Sequence, residues 1–206
     1  MTLKLKICGM KYPENIQDIA ALNPDYMGFI FYEKTPRFFN TEIPKIQNSI
    51  KKTGVFVKSK IAEILDKINK YDLNAIQLHG GESAEFCAEL KLVLKETSIE
   101  IIKVFSVKSE FDFNQLADFE DHVDYFLFDT KGKHKGGNGE TFDWTLLKEY
   151  PSEKPFFLKT DSQRFSQNLL LHIRVNRPLV RHRTTLRLRS FKAQVQRPAS
   201  KDIVAS

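Results

Sequence analysis

Four side chains in the first part of the sequence are of types that can carry out chemistry on a small anionic substrate. They are Cys8, Arg37, His79 and Asp129. A thiolate can act as a base when a cationic neighbour stabilises it, and a carboxyl group can act as an acid when desolvation raises its pKa. Arginine can bind a carboxylate through two parallel hydrogen bonds. These residue types predict general acid–base chemistry, provided that the fold brings them together.

A glycine-rich segment follows Asp129 and is a further candidate for substrate binding. Gly136, Gly137 and Gly139 stand in the stretch KGGNGETFDW. Because glycine has no side chain, backbone amides in such a segment can approach anionic oxygens closely.

Each of these candidates also has a plainer structural interpretation. A cysteine at a strand end is more often a small core residue than a base, and Cys87 is expected in the core. An aspartate after a strand usually stabilises a turn or caps a helix. His79, beside two glycines, would simply hydrogen-bond its loop, and the glycine-rich segment would be a surface turn. The functional interpretation therefore depends on where the strands place these residues.

Short β-rich runs recur along the first 158 residues and precede most of the candidates. Most are near-continuous apolar runs, as in parallel strands that are covered on both faces. The first six start one βα unit apart. In barrels of such units, functional groups lie at the carboxyl ends of the strands. The runs are Leu3–Ile7, Tyr26–Phe31, Gly54–Val57, Ala75–Leu78, Glu100–Phe105, Tyr125–Phe128 and Pro155–Leu158.

Three of the connecting segments have the apolar spacing of amphipathic helices. They are Pro13–Leu22, Ser59–Tyr71 with Ser59 as its N-cap, and Ser83–Lys95. The seven β-rich runs, each followed by a connecting segment, predict an α/β protein. Its fold is expected to be a (β/α)8 TIM barrel whose last one to two βα units are abnormal or incomplete. An open doubly wound sheet is the alternative, but no glycine-rich dinucleotide motif follows the first run.

The composition changes abruptly near residue 159. Residues 1–158 contain 21 basic and 24 acidic residues, whereas residues 159–206 contain 11 basic and 2 acidic residues. All nine glycines precede residue 140, and eight arginines follow residue 158. We expect a single domain over residues 1–206 with an atypical basic tail from 159. Our hypothesis is that residues from about 159 to 197 are a frame-shifted reading of a normal gene.

Two stretches of the tail have recognisable patterns. The apolar cluster Leu169–Ile173 predicts a short helix, and Thr184–Leu188 alternates like a strand that could close the barrel.

The bulk composition restricts the class of protein. The chain has 206 residues, enough for one domain with a large core, and two cysteines, which suggest no disulfide framework. No apolar run approaches the length of a membrane span, and the N-terminus makes a poor signal peptide, so we expect a cytoplasmic protein. No metal-ligand cluster is visible, and no cofactor is expected.

Read together, the motifs resemble those of the phosphoribosylanthranilate isomerase (TrpF) family through residue 158. The resemblance rests on KICGM, GFIFYEKTPR, GVFV, QLHGGE, FLFDT and GGNGETFDW, in the order and spacing of that family. It implies an Amadori rearrangement of N-(5-phosphoribosyl)anthranilate to 1-(2-carboxyphenylamino)-1-deoxyribulose 5-phosphate, a step of tryptophan biosynthesis that needs no metal or redox cofactor.

The resemblance also implies a role for each candidate residue. Asp129 would be the general acid at the furanose ring oxygen, and Cys8 the base that removes the C2 proton. Arg37 would hold the anthranilate carboxylate, with His79 in support. The resemblance ends after Leu158, where the family has a Gly-Gly turn and an eighth strand whose loops bind the substrate phosphate. In this sequence the run Pro155–Leu158 continues into Lys159, Thr160 and Asp161 with no glycine.

Two other interpretations remain open from the sequence. One is an inactive barrel remnant whose basic tail binds a polyanion, because eleven positive charges would attract phosphates. The other is a sugar-phosphate barrel with different chemistry. We expect a phosphorylated small molecule as substrate, no membrane partner, no nucleic-acid partner, and a monomer or homodimer.

Overall fold

Eight strands, taken in chain order, form a closed barrel in the computed structural model. It describes residues 4–107, 110–130, 149–160 and 170–175. The strands are β1 (Lys4–Met10), β2 (Tyr26–Ile30), β3 (Lys51–Phe56), β4 (Ala75–Leu78), β5 (Glu100–Val107), β6 (Tyr125–Thr130), β7 (Phe156–Thr160) and β8 (Leu170–Val175). The helices are α1 (Pro13–Ala21), α2 (Ile61–Tyr71) and α3 (Ala84–Val93), with a 3-10 helix over Phe113–Phe119.

Strands β1 to β7 are parallel, each paired with the next in sequence. All seven β-rich runs of the sequence therefore form strands, although β3 begins at Lys51 rather than Gly54. The predicted barrel with an abnormal end is confirmed, and the open doubly wound sheet is wrong, because the sheet closes on itself.

The eighth strand runs antiparallel to both of its neighbours, β7 and β1. Residues 161–169 join β7 to β8, and a parallel return needs a crossover of about a dozen residues or more. A connection this short returns the chain in the opposite direction. The predicted helix over Leu169–Ile173 is therefore wrong, since Leu170–Val175 is a strand. The predicted strand Thr184–Leu188 lies outside the described residues.

The three predicted helices are present with nearly the expected bounds. Ser83 caps α3, where its Oγ accepts a hydrogen bond from the Phe86 amide at 3.3 Å. The prediction for α2 is wrong in one detail: its N-cap is Lys60, not Ser59. None of the helices in the described part of the chain is long and apolar enough to cross a membrane.

The apolar core has two main layers, and a small third cluster of Cys8, Ile30 and Val55 lies towards the carboxyl ends of the first three strands. The larger layer lies between the strands and the helices and contains helix residues such as Ile16, Ile64 and Leu90. The smaller layer contains strand residues only and therefore fills the inside of the barrel; its members are Tyr26, Ala75, Ile102, Val104, Tyr125, Leu127 and Phe157. The candidate residues Cys8, His79 and Asp129 lie towards the carboxyl ends of their strands, beyond this filling.

Candidate active site

Arg37 lies close to Cys8 at the end of β1. Gly9 interrupts the pairing with β2, where the register shifts between Cys8 and Met10, and its φ of +98° favours glycine. A side chain at Gly9 would meet Cδ of Arg37 at 3.0 Å and Nη1 at 3.3 Å. The guanidinium therefore lies against the backbone next to Cys8. The loop that follows β2 carries it there.

Cys8 is buried, with 1% of its surface exposed, and it faces Gly28 on β2. A Cβ on Gly28 would lie 2.5 Å from Cys8 Sγ and 3.1 Å from Lys6 Nζ. Position 28 must therefore be glycine for the thiol and the ammonium to occupy this space. Lys6 is fully buried.

His79 and Asp129 form a second cluster at the ends of β4 and β6. His79 Nε2 lies 3.3 Å from Asp129 Oδ2, and Lys159 Nζ lies 2.7 Å from Oδ1. The other ring nitrogen, Nδ1, contacts Gln77 Nε2 at 3.1 Å. The contact with Gln77 thus orients the imidazole ring so that Nε2 faces the carboxyl group of Asp129.

The charge state of Asp129 differs from the one that the sequence led us to expect. Burial is the largest influence and raises the pKa of Asp129. The hydrogen bond from His79 and the ammonium of Lys159 outweigh it and bring the pKa below its usual value. Asp129 is therefore a carboxylate at neutral pH. The condition stated for acid catalysis, a pKa raised by desolvation, is thus not met in the protein without substrate, because the contacts with His79 and Lys159 outweigh the effect of burial.

A buried ion pair fixes the Gly80–Gly81 turn that follows His79. Glu82 accepts hydrogen bonds from the Gly80 amide at 2.9 Å and the Lys58 amide at 2.9 Å. Lys103 Nζ donates to Glu82 Oε2 and to the Gly80 carbonyl, both at 2.9 Å. These contacts hold the backbone that leads out of β4 and so help to fix His79.

The structure places the four predicted side chains at one end of the barrel, since β1, β4 and β6 are parallel and Arg37 lies against Gly9. Gly136, Gly137 and Gly139 lie outside the described residues. Cys87 is buried on α3 as expected, and burial raises its pKa to about 11. Within the described ranges, no three His, Cys, Asp or Glu side chains gather as a metal site.

Sequence reasoning missed Lys6, Gln77 and Lys159, which touch the predicted residues. Two of them could have been predicted from strand alternation. Lys6 stands two positions before Cys8, and Gln77 two positions before His79, so each pair lies on the same face of the sheet. Lys159 gives no such signal, since its contact with Asp129 depends on the pairing of β6 with β7.

Comparison with known proteins identifies the family of this chain. The family model for N-(5'-phosphoribosyl)anthranilate isomerase matches residues 5–159, ending where the composition changes. A relative of that name from Parabacteroides distasonis is 42% identical over 160 residues, covering 75% of this chain and 71% of its own.

Two solved structures are also similar. One contains mutually generated monomers of the dimeric phosphoribosylanthranilate isomerase from Thermotoga maritima. It has 31% identity and a TM-score of 0.54, and the match covers 70% of this chain and 68% of that one. The other is a phosphoribosyl anthranilate isomerase in complex with reduced 1-(o-carboxyphenylamino)-1-deoxyribulose 5-phosphate. Its identity is 29% and its TM-score 0.56, with the same coverage of both chains. With its barrel, its site and these matches, the chain belongs to the N-(5'-phosphoribosyl)anthranilate isomerase family.

Proposed function

We propose that this protein catalyses the Amadori rearrangement of N-(5-phosphoribosyl)anthranilate to 1-(2-carboxyphenylamino)-1-deoxyribulose 5-phosphate, with Asp129 as acid and Cys8 as base. The observation that carries the proposal is the presence of a buried thiol and a mostly buried carboxyl group at one end of the barrel, with Arg37 beside the thiol and Lys159 beside the carboxyl group. Family membership over residues 5–159 supports the same reaction and its place in tryptophan biosynthesis.

In the first step Asp129 gives a proton to the furanose ring oxygen. The C1–O bond then breaks, and the anthranilate nitrogen supplies the electron pair that forms a protonated Schiff base at C1. Asp129 must first become protonated. A substrate that covers this end of the barrel adds desolvation, which raises the pKa of the carboxyl group. His79, 3.3 Å from Oδ2, is placed to pass a proton to it.

In the second step the Cys8 thiolate removes the proton from C2. The C–H electrons form a C1–C2 double bond, and the C=N electrons return to nitrogen. The product is an enol that is also an enamine, and it tautomerises to the ketose. Arg37 lies beside this base, against Gly9, and is placed to bind the anthranilate carboxylate in two-pronged fashion. Gly136, Gly137 and Gly139 are the proposed amide donors to the anionic substrate.

The assignment is tested with Cys8→Ser and Asp129→Asn, with Cys87→Ser as the control. Loss of a general acid or base costs about 10²–10⁴-fold in turnover. We expect losses of that size in the first two variants and little change in the control, because Cys87 lies on α3. Single-turnover measurements of substrate fluorescence, with enzyme in excess, detect even a slow parent. Both variants within threefold of the parent would refute the proposal.

We further propose that the protein acts in the cytoplasm, as a monomer or homodimer, on a phosphorylated small molecule. The similar Thermotoga maritima protein is described as dimeric, and another similar structure holds a phosphorylated product analogue. Sedimentation velocity of the full chain distinguishes the two assembly states.

A further inference from the structure

Lys6 is buried at a place where burial is costly. Its side chain has no exposed surface, and its Nζ makes no regular hydrogen bond within the described residues. A buried ammonium without a partner costs several kcal/mol, and such a group usually loses its proton or finds a counter-ion. Burial does lower the pKa of Lys6. Ordinary packing gives no reason for a lysine at this position.

The neighbour of this ammonium is the thiol of Cys8. The two residues stand two positions apart on β1, so they share the face that points into the barrel. Both Lys6 Nζ and Cys8 Sγ border the space above Gly28, at 3.1 and 2.5 Å from the position of a missing Cβ. The thiol acts on Lys6 in the opposite sense to burial, raising its pKa through the charge interaction between the two groups.

We infer that Lys6 is a positioning residue that keeps Cys8 in its thiolate form, and that Gly28 is required because it leaves room for this pair. The inference rests on the proposed role of Cys8 as base. A thiolate beside a buried ammonium is stabilised because no water screens the two charges. The ammonium in turn gains the counter-ion that it otherwise lacks.

The proton balance is simple. Before reaction, Cys8 is a thiolate and Lys6 is an ammonium. When the thiolate removes the C2 proton, an S–H bond forms and Lys6 keeps its own proton. Lys6 therefore transfers nothing and touches no reacting carbon; it sets the charge of the group that does.

Two other titratable residues on the neighbouring strands must be considered. Tyr26 of β2 donates its hydroxyl hydrogen to Glu100 at 3.0 Å, and His172 of β8 stands opposite Lys6 in the strand register. Arg37 reaches Gly9, one residue beyond Cys8. Variants must therefore change Lys6 and leave these groups in place.

The experiment follows thiolate absorbance at 240 nm against pH in a Cys87→Ala background, which leaves Cys8 as the single thiol. Three variants of the full chain are compared: Lys6→Met, Lys6→Arg and the control Lys4→Met. Lys4 lies on the same strand, with its Nζ 5.8 Å from the ring centre of Tyr26, and the three atoms nearest to a Cβ on Gly28 belong to Cys8 and Lys6 rather than to Lys4. Thermal denaturation of each variant is recorded in parallel.

We expect Lys6→Met to lower the thiolate signal at pH 7 at least tenfold while leaving the melting temperature unchanged or higher, because a buried charge is removed. Lys6→Arg should retain most of the signal, and Lys4→Met all of it. A Lys6→Met protein that melts normally and titrates like the parent overturns the inference, and so does a loss of signal in Lys4→Met. If Lys6→Met does not fold, Lys6→Gln takes its place with the same criterion. Turnover of Cys8→Ser separately tests the proposed function.

Discussion

Asp129 is held between His79 and Lys159, and Lys159 works against its proposed role. The ammonium of Lys159 lies 2.7 Å from Oδ1 and lowers the pKa of a group that must be protonated to act as an acid. A positive charge there stabilises the carboxylate, so a smaller fraction of the enzyme carries the reactive proton at neutral pH. At the scale of single residues, this contact opposes the acid role proposed for Asp129.

Replacing Lys159 by alanine is therefore expected to increase turnover. The pKa of Asp129 should rise, and the alkaline limb of the kcat profile should move to higher pH, with a gain of about threefold to tenfold at pH 7. Lys154→Ala is the matched control, because Lys154 Nζ donates to the Val123 carbonyl at 2.7 Å, near the start of β7. A Lys159→Ala profile superimposable on that of the parent would contradict this.

Arg37 should contribute mainly to binding. A carboxylate clamp acts in both the ground state and the transition state, so Arg37→Ala is expected to raise KM at least tenfold with a smaller change in kcat. Arg37→Lys keeps the charge but loses the paired hydrogen bonds, so its KM should lie between that of the parent and that of Arg37→Ala. Steady-state kinetics at fixed ionic strength separate these effects. An unchanged KM with a collapsed kcat would show that the arginine serves the chemical step.

At the scale of elements, the loop after β4 depends on the buried Glu82–Lys103 pair. Both side chains are almost fully buried, and together they satisfy the backbone of Gly80. Removing one partner of a buried pair typically costs about 3–5 kcal/mol. We expect Lys103→Met to lose stability in that range by urea denaturation. The double variant Glu82→Gln/Lys103→Met should recover part of the lost stability. If the double variant is less stable than either single variant, the loss does not come from breaking the ion pair.

The same pair gives the fold a dependence on acid. Burial raises the pKa of Glu82, but the Lys58 amide and the ammonium of Lys103 lower it more, so the folded value lies below the usual one. A depressed carboxyl pKa stabilises the fold above the unfolded value, near pH 4, and that contribution is lost as the pH falls through the folded value. The urea midpoint of the parent should therefore decline below about pH 4 more steeply than that of Glu82→Gln.

The strands and helices could be predicted from the sequence because each contains its own periodicity. The positions of Cys8, His79 and Asp129 followed from that pattern together with the rule that barrel sites lie at the carboxyl ends of strands. Contacts between strands distant in sequence could not be predicted. Whether Lys159 reaches Asp129, and whether Lys6 has a partner, depends on tertiary packing that one-dimensional patterns do not contain.

At the scale of the whole molecule, β8 closes the barrel but in the wrong direction for a βα unit. Val175, its last residue, pairs with Phe156 at the start of β7, and Arg174 pairs with Lys4 at the start of β1. The chain therefore leaves β8 at the end of the barrel opposite to Cys8 and Asp129. Closure satisfies the backbone groups at the edges of β1 and β7, so the antiparallel strand supplies stability, but the chain that follows it starts at the far end of the barrel from the site.

This direction has a consequence for substrate binding. In barrels of this fold, a phosphate is frequently bound by the loops after the seventh and eighth strands. Here the sequence after β7 has no glycine, and the segment after Val175 begins at the far end of the barrel. The sequence after β7 thus offers no glycine amides to a phosphate, and we expect a high KM together with weak competition by inorganic phosphate.

The frame-shift hypothesis can be tested with a gene in which the codons for residues 159–197 are read in the alternative frame. The protein it encodes should have a lower KM and should be inhibited more strongly by inorganic phosphate. If the frame-shift hypothesis is right, that frame encodes a glycine turn after Leu158 and a βα crossover long enough for a parallel eighth strand. We expect its KM to be at least tenfold lower, its inhibition by phosphate stronger, and its melting temperature higher. The tail of the chain as written carries eleven basic residues but no recognised nucleic-acid-binding motif, so we expect neither version to bind a random DNA duplex. Salt-dependent DNA binding by the chain as written would instead favour the inactive barrel remnant with a basic tail. Two results would contradict the hypothesis: no single-base change near codon 159 opens such a frame, or both proteins have the same KM and melting temperature. The antiparallel β8 would then be a functional substitute for a parallel eighth strand and not the result of a frame shift.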